Sequence, residues 1–407
     1  MPFEPDFSSL VSFTAEFDLL PLSTLVKASL SCSAAAVRDS TVKQDLSISD
    51  FAHLISAAAA EDLESLCQRS RALTLQRFGR VIRLFAPLYL SNECINNCKY
   101  CGFSRDNPIL RVTLSVDEVL REARALTEQG FRNLLLVSGE HPKFASGGYM
   151  ADCLRCLHEE VPSLSLEVGP METKEYRPLV QAGADGLVVY QETYDQEIYA
   201  EMHTAGPKRN FGWRLETPER AYAAGFRRIG IGALYGLADW RAEAISVAAH
   251  ADYLLRNCWK AQLTISLPRL RPCAGEFQPI THMSDRDLVQ LVCALRLMFP
   301  DVGLVLSTRE PARLRDGLIP LGITLMSAGS HTEPGGYTGA GKQNLHHTER
   351  GRIIELGASE WAAAGPEVHA TGQFDIADSR TSQEIADLIR RLGYEPVWKD
   401  WDAALTA

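Results

Sequence analysis

Strand-like and helix-like stretches alternate along this chain from about residue 83 to residue 327. Such alternation is typical of a parallel sheet whose strands are joined by helices. The strand-like runs number eight, which is the number that closes a barrel. We therefore predict a (β/α)8 barrel with strands at Leu84–Leu90, Leu134–Gly139, Leu164–Gly169, Gly186–Glu192, Arg228–Tyr235, Leu263–Arg269, Gly303–Arg309 and Ile323–Ser327.

The helix between the first two strands can be predicted in detail. Apolar residues recur at helical spacing from Val116 to Leu126 and form one stripe. Ser115 followed by Glu118 predicts a capping box at the start, and Gly130 predicts a left-handed stop at the end. We expect comparable helices near residues 172–183, 239–257, 284–298 and 311–320.

Three regions follow from this pattern. Residues 1–75 are predicted to form a mostly helical N-terminal extension, and residues 76–337 the barrel. Residues 338–407 are predicted to form a C-terminal loop and a cap helix. Within that region, residues 338–372 lack clear periodicity and predict a long loop ahead of a last helix near 381–392.

Charge and composition exclude several classes of protein. The chain has 51 acidic and 41 basic residues and a formal charge of −10, which disfavours nucleic acid and anionic membrane surfaces as partners. It has no long uninterrupted apolar stretch, and its first residues lack the basic region of a secretory signal. We therefore expect a cytoplasmic protein, whose ten cysteines remain thiols available for metal or redox chemistry.

Three of the cysteines are clustered directly after the first predicted strand. Cys94, Cys98 and Cys101 have the spacing Cys-x3-Cys-x2-Cys. A short loop of this kind can ligate three irons of a [4Fe–4S] cluster, leaving the fourth iron open. An open iron can bind the amino and carboxylate groups of S-adenosylmethionine, which the cluster then cleaves by one-electron transfer.

A zinc site is the main alternative for these cysteines. Zinc would require a fourth ligand, and the nearest later candidates, His141 and Cys153, are not at usual spacing. Cys153 and Cys156 also form a Cys-x2-Cys pair, but they lie on a predicted apolar helix and are interpreted as packing residues. The cysteine loop therefore predicts an iron–sulfur cluster.

Polar residues follow most of the predicted strands. In a (β/α)8 barrel, catalytic groups lie at the C-terminal ends of the strands. Gly139 leaves space for a ligand's amino group, and Glu140 or Glu192 can accept hydrogen bonds from ammonium or ribose groups. Arg309 can hold a carboxylate with two hydrogen bonds. For each residue taken alone, ion pairing at a solvated rim is an equally good interpretation.

Several motifs are shared with a known enzyme family. They are LYLSNECINNCKYCGF, LLLVSGEH, VVYQETY, WRLETPER, IGIGALYGL, SLPRLRPC, LSTREP, PGGY and EPVWKDWD. With these motifs the chain resembles 2-iminoacetate synthase, the radical-SAM tyrosine lyase of thiazole and thiamine biosynthesis, from about Arg77 to Leu405. The motif set is more specific than the cysteine spacing, which the whole superfamily shares.

The resemblance implies a reaction and its participants. L-tyrosine would be cleaved between Cα and Cβ after a 5′-deoxyadenosyl radical removes hydrogen from its amino group. The products would be 2-iminoacetate (dehydroglycine), p-cresol, 5′-deoxyadenosine and methionine. A reductant such as flavodoxin or ferredoxin, and a thiazole synthase that consumes the unstable imine, are the implied partners.

The resemblance also assigns residues to roles. Cys94, Cys98 and Cys101 would hold the cluster. Tyr100 would lie against the adenine of S-adenosylmethionine, and Gly139 and Glu140 would lie near its methionine amino group. The candidates for binding the rest of this cofactor are Glu167, Glu192 and Arg214. Arg309 and Ser327 would grip the carboxylate and amino end of the substrate, with Arg269 and Arg271 as nearby charges. For the phenol end, Tyr235, Glu192 and His141 are the candidates.

Three other functions remain open at this stage. A tyrosine lyase of hydrogenase maturation would need a second, C-terminal cluster, whereas the last cysteine here is Cys293. A tryptophan lyase is possible because Arg309 would read only the backbone end of an amino acid. An iron–sulfur electron carrier is the alternative from another class. The segment between Tyr337 and Gln373 is also longer than the family pattern predicts, which leaves the cap over the barrel open.

Overall fold

The computed structural model describes residues 12–349, 352–365 and 368–398. Within these residues, eight parallel strands close into a barrel in chain order, because the last strand pairs with the first through Arg83↔Leu325 and Phe85↔Ser327. The predicted (β/α)8 barrel is thus confirmed. The strands are β1 Val81–Ser91, β2 Asn133–Ser138, β3 Ser163–Glu167, β4 Gly186–Val188, β5 Arg228–Gly232, β6 Gln262–Ser266, β7 Gly303–Leu306 and β8 Leu325–Ser327.

Several barrel strands are shorter than the sequence predicts. β4 ends at Val188 and β5 at Gly232, and beyond these points the two segments are joined by single backbone hydrogen bonds and by an isolated bridge between Glu192 and Ala233. Glu192 has a φ of 73°, a left-handed conformation that a non-glycine residue rarely adopts and that no strand contains. After β4 and β5 the chain therefore leaves the hydrogen-bonded sheet, at the end of the barrel where the mouth lies.

The helix after β1 has the ends that the sequence predicts. Glu118 N donates to Ser115 Oγ, Ser115 N donates to Glu118 Oε2 at 2.8 Å, and Gly130 has a φ of 105°. The helices around the barrel are Val116–Glu128, Gly147–His158, Thr173–Gln181, Gln196–Met202, Phe211–Leu215, Thr217–Ala224, Trp240–Asn257, Asp285–Met298 and Ala312–Leu318, with a 3-10 turn at Pro207–Arg209.

Helices precede the barrel, as expected for residues 1–75, of which the first eleven lie outside the described residues. They pack on the outer face of the barrel, mainly against the helices Trp240–Asn257 and Asp285–Met298. The ring of Phe13 stacks on His250 at 4.1 Å, and Phe51 is fully buried. Their bounds are Phe13–Asp18, Leu22–Ser31, Ala34–Val42, Ile48–Leu54, Ala57–Glu61 and Leu63–Phe78.

The long loop predicted for residues 338–372 is wrong in part. It contains a 3-10 turn at Lys342–Asn344, an antiparallel hairpin of His346–Glu349 with Arg352–Glu355, and a helix at Ala358–Ala364. The hairpin is held by two backbone hydrogen bonds between His346 and Arg111, at 2.8 and 3.1 Å. Such pairing joins residues that are distant in sequence, so local periodicity could not reveal it.

The C-terminal residues cover both ends of the barrel. The expected last helix is present at Ser382–Arg391, and a short strand, Glu395–Val397, pairs with the start of β1. Residues around Gln373 lie at the opposite end, over the barrel mouth. In the part of the chain that is described, no helix has both the length and the apolar character needed to span a bilayer.

Candidate active site

The cysteine loop follows β1 at the C-terminal end of the barrel. Cys98 is buried, whereas Cys94 and Cys101 are partly exposed, and none of the three forms a disulfide. Among the described residues, no three His, Cys, Asp or Glu side chains converge as one metal ion would require. The donor set of three soft thiolates on one loop suits a cubane cluster, in which each sulfur binds a different iron.

Glu140 holds the cysteine loop in place. Its backbone carbonyl accepts a hydrogen bond from Ile95 N at 2.8 Å, and its carboxylate accepts one from Asn96 Nδ2 at 2.7 Å. A Cβ on the neighbouring Gly139 would lie 2.2 Å from the carbonyl oxygen of Glu93. The glycine therefore makes room for the backbone of the cysteine loop. The space for a ligand's amino group that the sequence suggested at Gly139 stays a prediction.

Glu192 is the centre of a buried charge cluster beside this loop. Its Oε1 accepts hydrogen bonds from Lys208 Nζ at 2.6 Å and from Arg214 Nη2 at 3.3 Å, and Arg214 Nε donates to the carbonyl of Tyr190 at 2.7 Å. Burial would raise the pKa of Glu192, but the two cations outweigh burial and lower it. Glu192 is therefore ionised. Its hydrogen bonds to Lys208 and Arg214 fix the orientation of its carboxylate, although its backbone conformation is strained.

Tyr100 is fixed at its hydroxyl end. The hydroxyl donates to His203 Nε2 at 2.7 Å, while His203 Nδ1 donates to the carbonyl of Tyr199 at 2.8 Å. The Lys208 ammonium lies 5.5 Å from the centre of the Tyr100 ring. The sequence indicated neither His203 nor Lys208, because the short strand His203–Ala205 and the 3-10 turn Pro207–Arg209 are too short to leave a periodic pattern.

A cavity opens at the centre of the barrel mouth. One wall carries polar groups from the ends of β7 and β8, including Arg309 and Ser327, and the other carries aromatic rings, including Tyr89 and Tyr190. The Arg309 guanidinium lies 3.3 Å from the ring centre of Phe374, a cation–π contact that fixes its position. The structure thus brings the two predicted substrate residues together.

Glu167 faces the same cavity from the end of β3. The resemblance had placed this residue beside the cofactor, whereas here it shares a cavity with Arg309 and Ser327. Burial raises the pKa of Glu167 to about 7, although the nearby Arg309 favours the charged form. Its carboxylate therefore titrates near neutral pH.

Three other candidates are not brought to the cavity. Arg269 is engaged by Glu310 and by Asp285, the latter at 2.8 Å, because the chain turns outward after β6. Tyr235 is buried but does not line the cavity, and its charged neighbour is Glu243. His141 Nδ1 accepts from the backbone of the turn that follows it, at 3.2 and 3.3 Å. The contacts of Arg269 and Tyr235 are therefore with other protein groups and not with the cavity.

Two residues that the sequence did not indicate link the cavity to the cysteine loop. Tyr89 donates to Gln373 Oε1 at 2.9 Å, and Gln373 Nε2 lies 3.9 Å from the sulfur of Cys101. Tyr89 shares the inward face of β1 with Phe85, so a period of two could have identified it. Gln373 follows the irregular C-terminal segment and carried no such signal.

Comparison with known proteins defines the class of this protein. Residues 88–246 match the model of the Radical SAM superfamily, and residues 266–395 match the Biotin and Thiamin Synthesis associated domain. A barrel of this topology with three cysteines after β1 is therefore a radical-SAM barrel.

Relatives over nearly the whole chain define the family. The 2-iminoacetate synthase of Escherichia coli K12 is 43% identical over 91% of this chain and 92% of its own length. This chain belongs to the 2-iminoacetate synthase family, as its motifs suggested. Among solved structures, the FeFe-hydrogenase maturase HydG from Carboxydothermus hydrogenoformans has a TM-score of 0.76 at 33% identity, covering 95% of this chain and 81% of that one. Another HydG structure has a TM-score of 0.80 at 28% identity, covering 93% and 79%.

Proposed function

We propose that this chain cleaves the Cα–Cβ bond of L-tyrosine to 2-iminoacetate and p-cresol, with 5′-deoxyadenosine and methionine as co-products, for thiazole formation in thiamine biosynthesis. The observation that carries the proposal is 43% identity to a 2-iminoacetate synthase across both the barrel and the C-terminal domain. The cavity with an arginine at the end of β7 is consistent with an amino-acid substrate.

The cofactors of this reaction are a [4Fe–4S] cluster and S-adenosylmethionine. Cys94, Cys98 and Cys101 would hold the cluster, and together the two groups supply a 5′-deoxyadenosyl radical. We assign Tyr100, Gly139, Glu140, Glu192 and Arg214 to the cofactor side of the mouth. Gly139 and Glu140 act there by fixing the cysteine loop, and Glu192 offers an ionised carboxylate to hydroxyl or ammonium groups.

On the substrate side, we assign the carboxylate of tyrosine to Arg309 and Ser327. In the described part of the chain the Arg309 guanidinium has no ion pair and no side-chain hydrogen bond, so its donors are available to a ligand. Its stacking on Phe374 reduces the freedom of the side chain and hence the entropy lost on binding. Arg269 is assigned a positioning role, because Glu310 and Asp285 already occupy its guanidinium.

Hydrogenase maturation is less well supported than thiazole formation. HydG is one of the similar solved structures, but the HydG chains are only 28 and 33% identical to this chain, whereas the curated 2-iminoacetate synthases are 42 and 43% identical to it. As partners we propose a flavodoxin or ferredoxin reductant and a thiazole synthase, with the reaction taking place in the cytoplasm.

One experiment tests the reaction and its substrate. The enzyme is reconstituted anaerobically with iron and sulfide and mixed with dithionite, S-adenosylmethionine and either tyrosine or tryptophan. We expect p-cresol from tyrosine and no indole product from tryptophan, measured by chromatography. Matched Cys94→Ala enzyme should contain less iron and form no 5′-deoxyadenosine. An indole product, or 5′-deoxyadenosine without p-cresol, would contradict the proposal.

A further inference from the structure

Two side chains of opposite charge, Arg309 and Glu167, face the cavity. Arg309 lies beyond the end of β7 and Glu167 ends β3, and these strands lie opposite each other in the eight-strand order. Within the described residues, the Glu167 carboxylate has no hydrogen bond or ion pair, and the two side chains do not pair with each other. Unpaired charges away from water are costly. A ligand that carries both an anionic and a cationic group would satisfy both.

The surroundings of Glu167 show which group it would meet. Arg309 is on the substrate side, and the Glu192 cluster is on the cofactor side, so Glu167 lies between them. Hydrogen is to be removed from the substrate nitrogen at this boundary, because the carboxylate is held on one side and the cofactor on the other. The titratable and charged groups that face Glu167 are Tyr89 from β1, Tyr190 and Glu192 after β4, Lys208, Arg214 and Arg309.

We propose that Glu167 binds the α-ammonium group of tyrosine and accepts one of its protons, a role that rests on the proposed function. Tyrosine in neutral water carries an ammonium group, which has no lone pair on nitrogen. In the step, an N–H bond breaks and its electron pair stays on nitrogen, while the proton forms an O–H bond with the carboxylate. No electron is transferred, and the charge on both groups disappears together. Removal of a hydrogen atom then starts from a neutral amino group.

The environment of Glu167 suits this exchange. Because burial raises the pKa of Glu167 to about 7, its carboxylate is ionised just above neutral pH yet holds a proton more firmly than an exposed glutamate. The buried position of Glu167 also favours a neutral acid and amine over a carboxylate and ammonium. Arg309 opposes protonation of Glu167, but the incoming substrate carboxylate neutralises that cation.

A binding experiment with three ligands tests the contact. Reconstituted enzyme with S-adenosylmethionine but no reductant is titrated with tyrosine, with phenylalanine, and with 3-(4-hydroxyphenyl)propanoate, which lacks the amino group. We expect Glu167→Gln to weaken tyrosine and phenylalanine at least about 10-fold, as loss of a charged hydrogen bond does. The propanoate should bind as tightly as before or more tightly, because a like charge is removed. The exposed Glu159→Gln serves as the control and should change each affinity by no more than about twofold.

Each result bears on the assignment. Equal weakening of tyrosine and the propanoate, with phenylalanine unaffected, would place Glu167 at the phenol and overturn the proposal. Unchanged tyrosine affinity would overturn it as well.

A turnover measurement tests the proton transfer. Wild-type activity should fall as the pH drops through about 7, because protonated Glu167 cannot accept a proton. In Glu167→Gln this fall of activity at low pH should disappear, and the rate should be lower by about 10²-fold to 10⁴-fold. If wild-type enzyme forms no p-cresol at all, the proposed function fails, whereas the binding comparison still tests Glu167.

Discussion

Replacing Gly139 by alanine is expected to destroy the cluster site. The new Cβ would lie 2.2 Å from the carbonyl oxygen of Glu93, whereas Cβ atoms do not approach other atoms closer than 3.0 Å, so the loop would retreat by about 0.8 Å. The same Cβ would lie 3.2 Å from Cys94 Cβ, so the displaced segment carries a ligand. Metal–ligand distances tolerate only about 0.2 Å. We therefore expect Gly139→Ala to lose iron and sulfide after anaerobic reconstitution, with a correspondingly weaker electron paramagnetic resonance signal after reduction.

Gly147 offers a matched control on the next helix. A Cβ there would have no atom within 4 Å, and the residue begins the helix Gly147–His158. Gly147→Ala should bind the cluster fully and gain up to about 1 kcal/mol in unfolding free energy, because the unfolded chain loses freedom. If Gly139→Ala keeps the iron content and spectrum of the wild type, the close packing of β2 against the cysteine loop does not control the cluster.

Two further predictions concern the C-terminal segment. Asp378→Ala removes the buried partner of Arg315 and should lower the unfolding free energy by about 3–5 kcal/mol. Asp387→Ala, in an exposed ion pair, should lower it by less than about 1 kcal/mol. Urea unfolding followed by circular dichroism measures both losses, and equal losses would contradict this ranking. Burial lowers the pKa of His346, but its hydrogen bond to Glu93 outweighs burial and raises it, so docking of the hairpin should weaken as the pH rises through this raised value. Hydrogen exchange of residues 346–349 should then accelerate beyond its intrinsic pH dependence, and His346→Gln should remove the excess; an unchanged profile would exclude His346 as the cause.

The barrel itself could be predicted from local sequence patterns. Each predicted strand overlaps an observed one, because a strand buried on both faces leaves a run of apolar residues. The errors lie at strand ends such as Glu192, where the chain leaves the sheet to place a side chain in the mouth. At such positions the chain leaves the sheet although the run of strand-like residues continues, so the sequence pattern overestimates the length of the strand.

The candidate site was predictable only in part. The three cysteines were evident because their spacing is short and local, and Arg309 was evident because it follows a strand. Arg269 follows a strand in the same way, yet Glu310 and Asp285 draw it out of the cavity. Charge and position in sequence do not distinguish these two arginines, because their partners come from other segments.

The sequence alone determined the closed barrel, the cysteine loop and the family, since all three depend on residue spacings within short segments. Only the tertiary structure decided that Glu167 shares a cavity with Arg309, that Lys208 pairs with Glu192, and that Gln373 reaches Cys101. These contacts join residues that are at least 16 positions apart along the chain. Their existence depends on how the barrel closes and on what covers it, and no local pattern of residues records either.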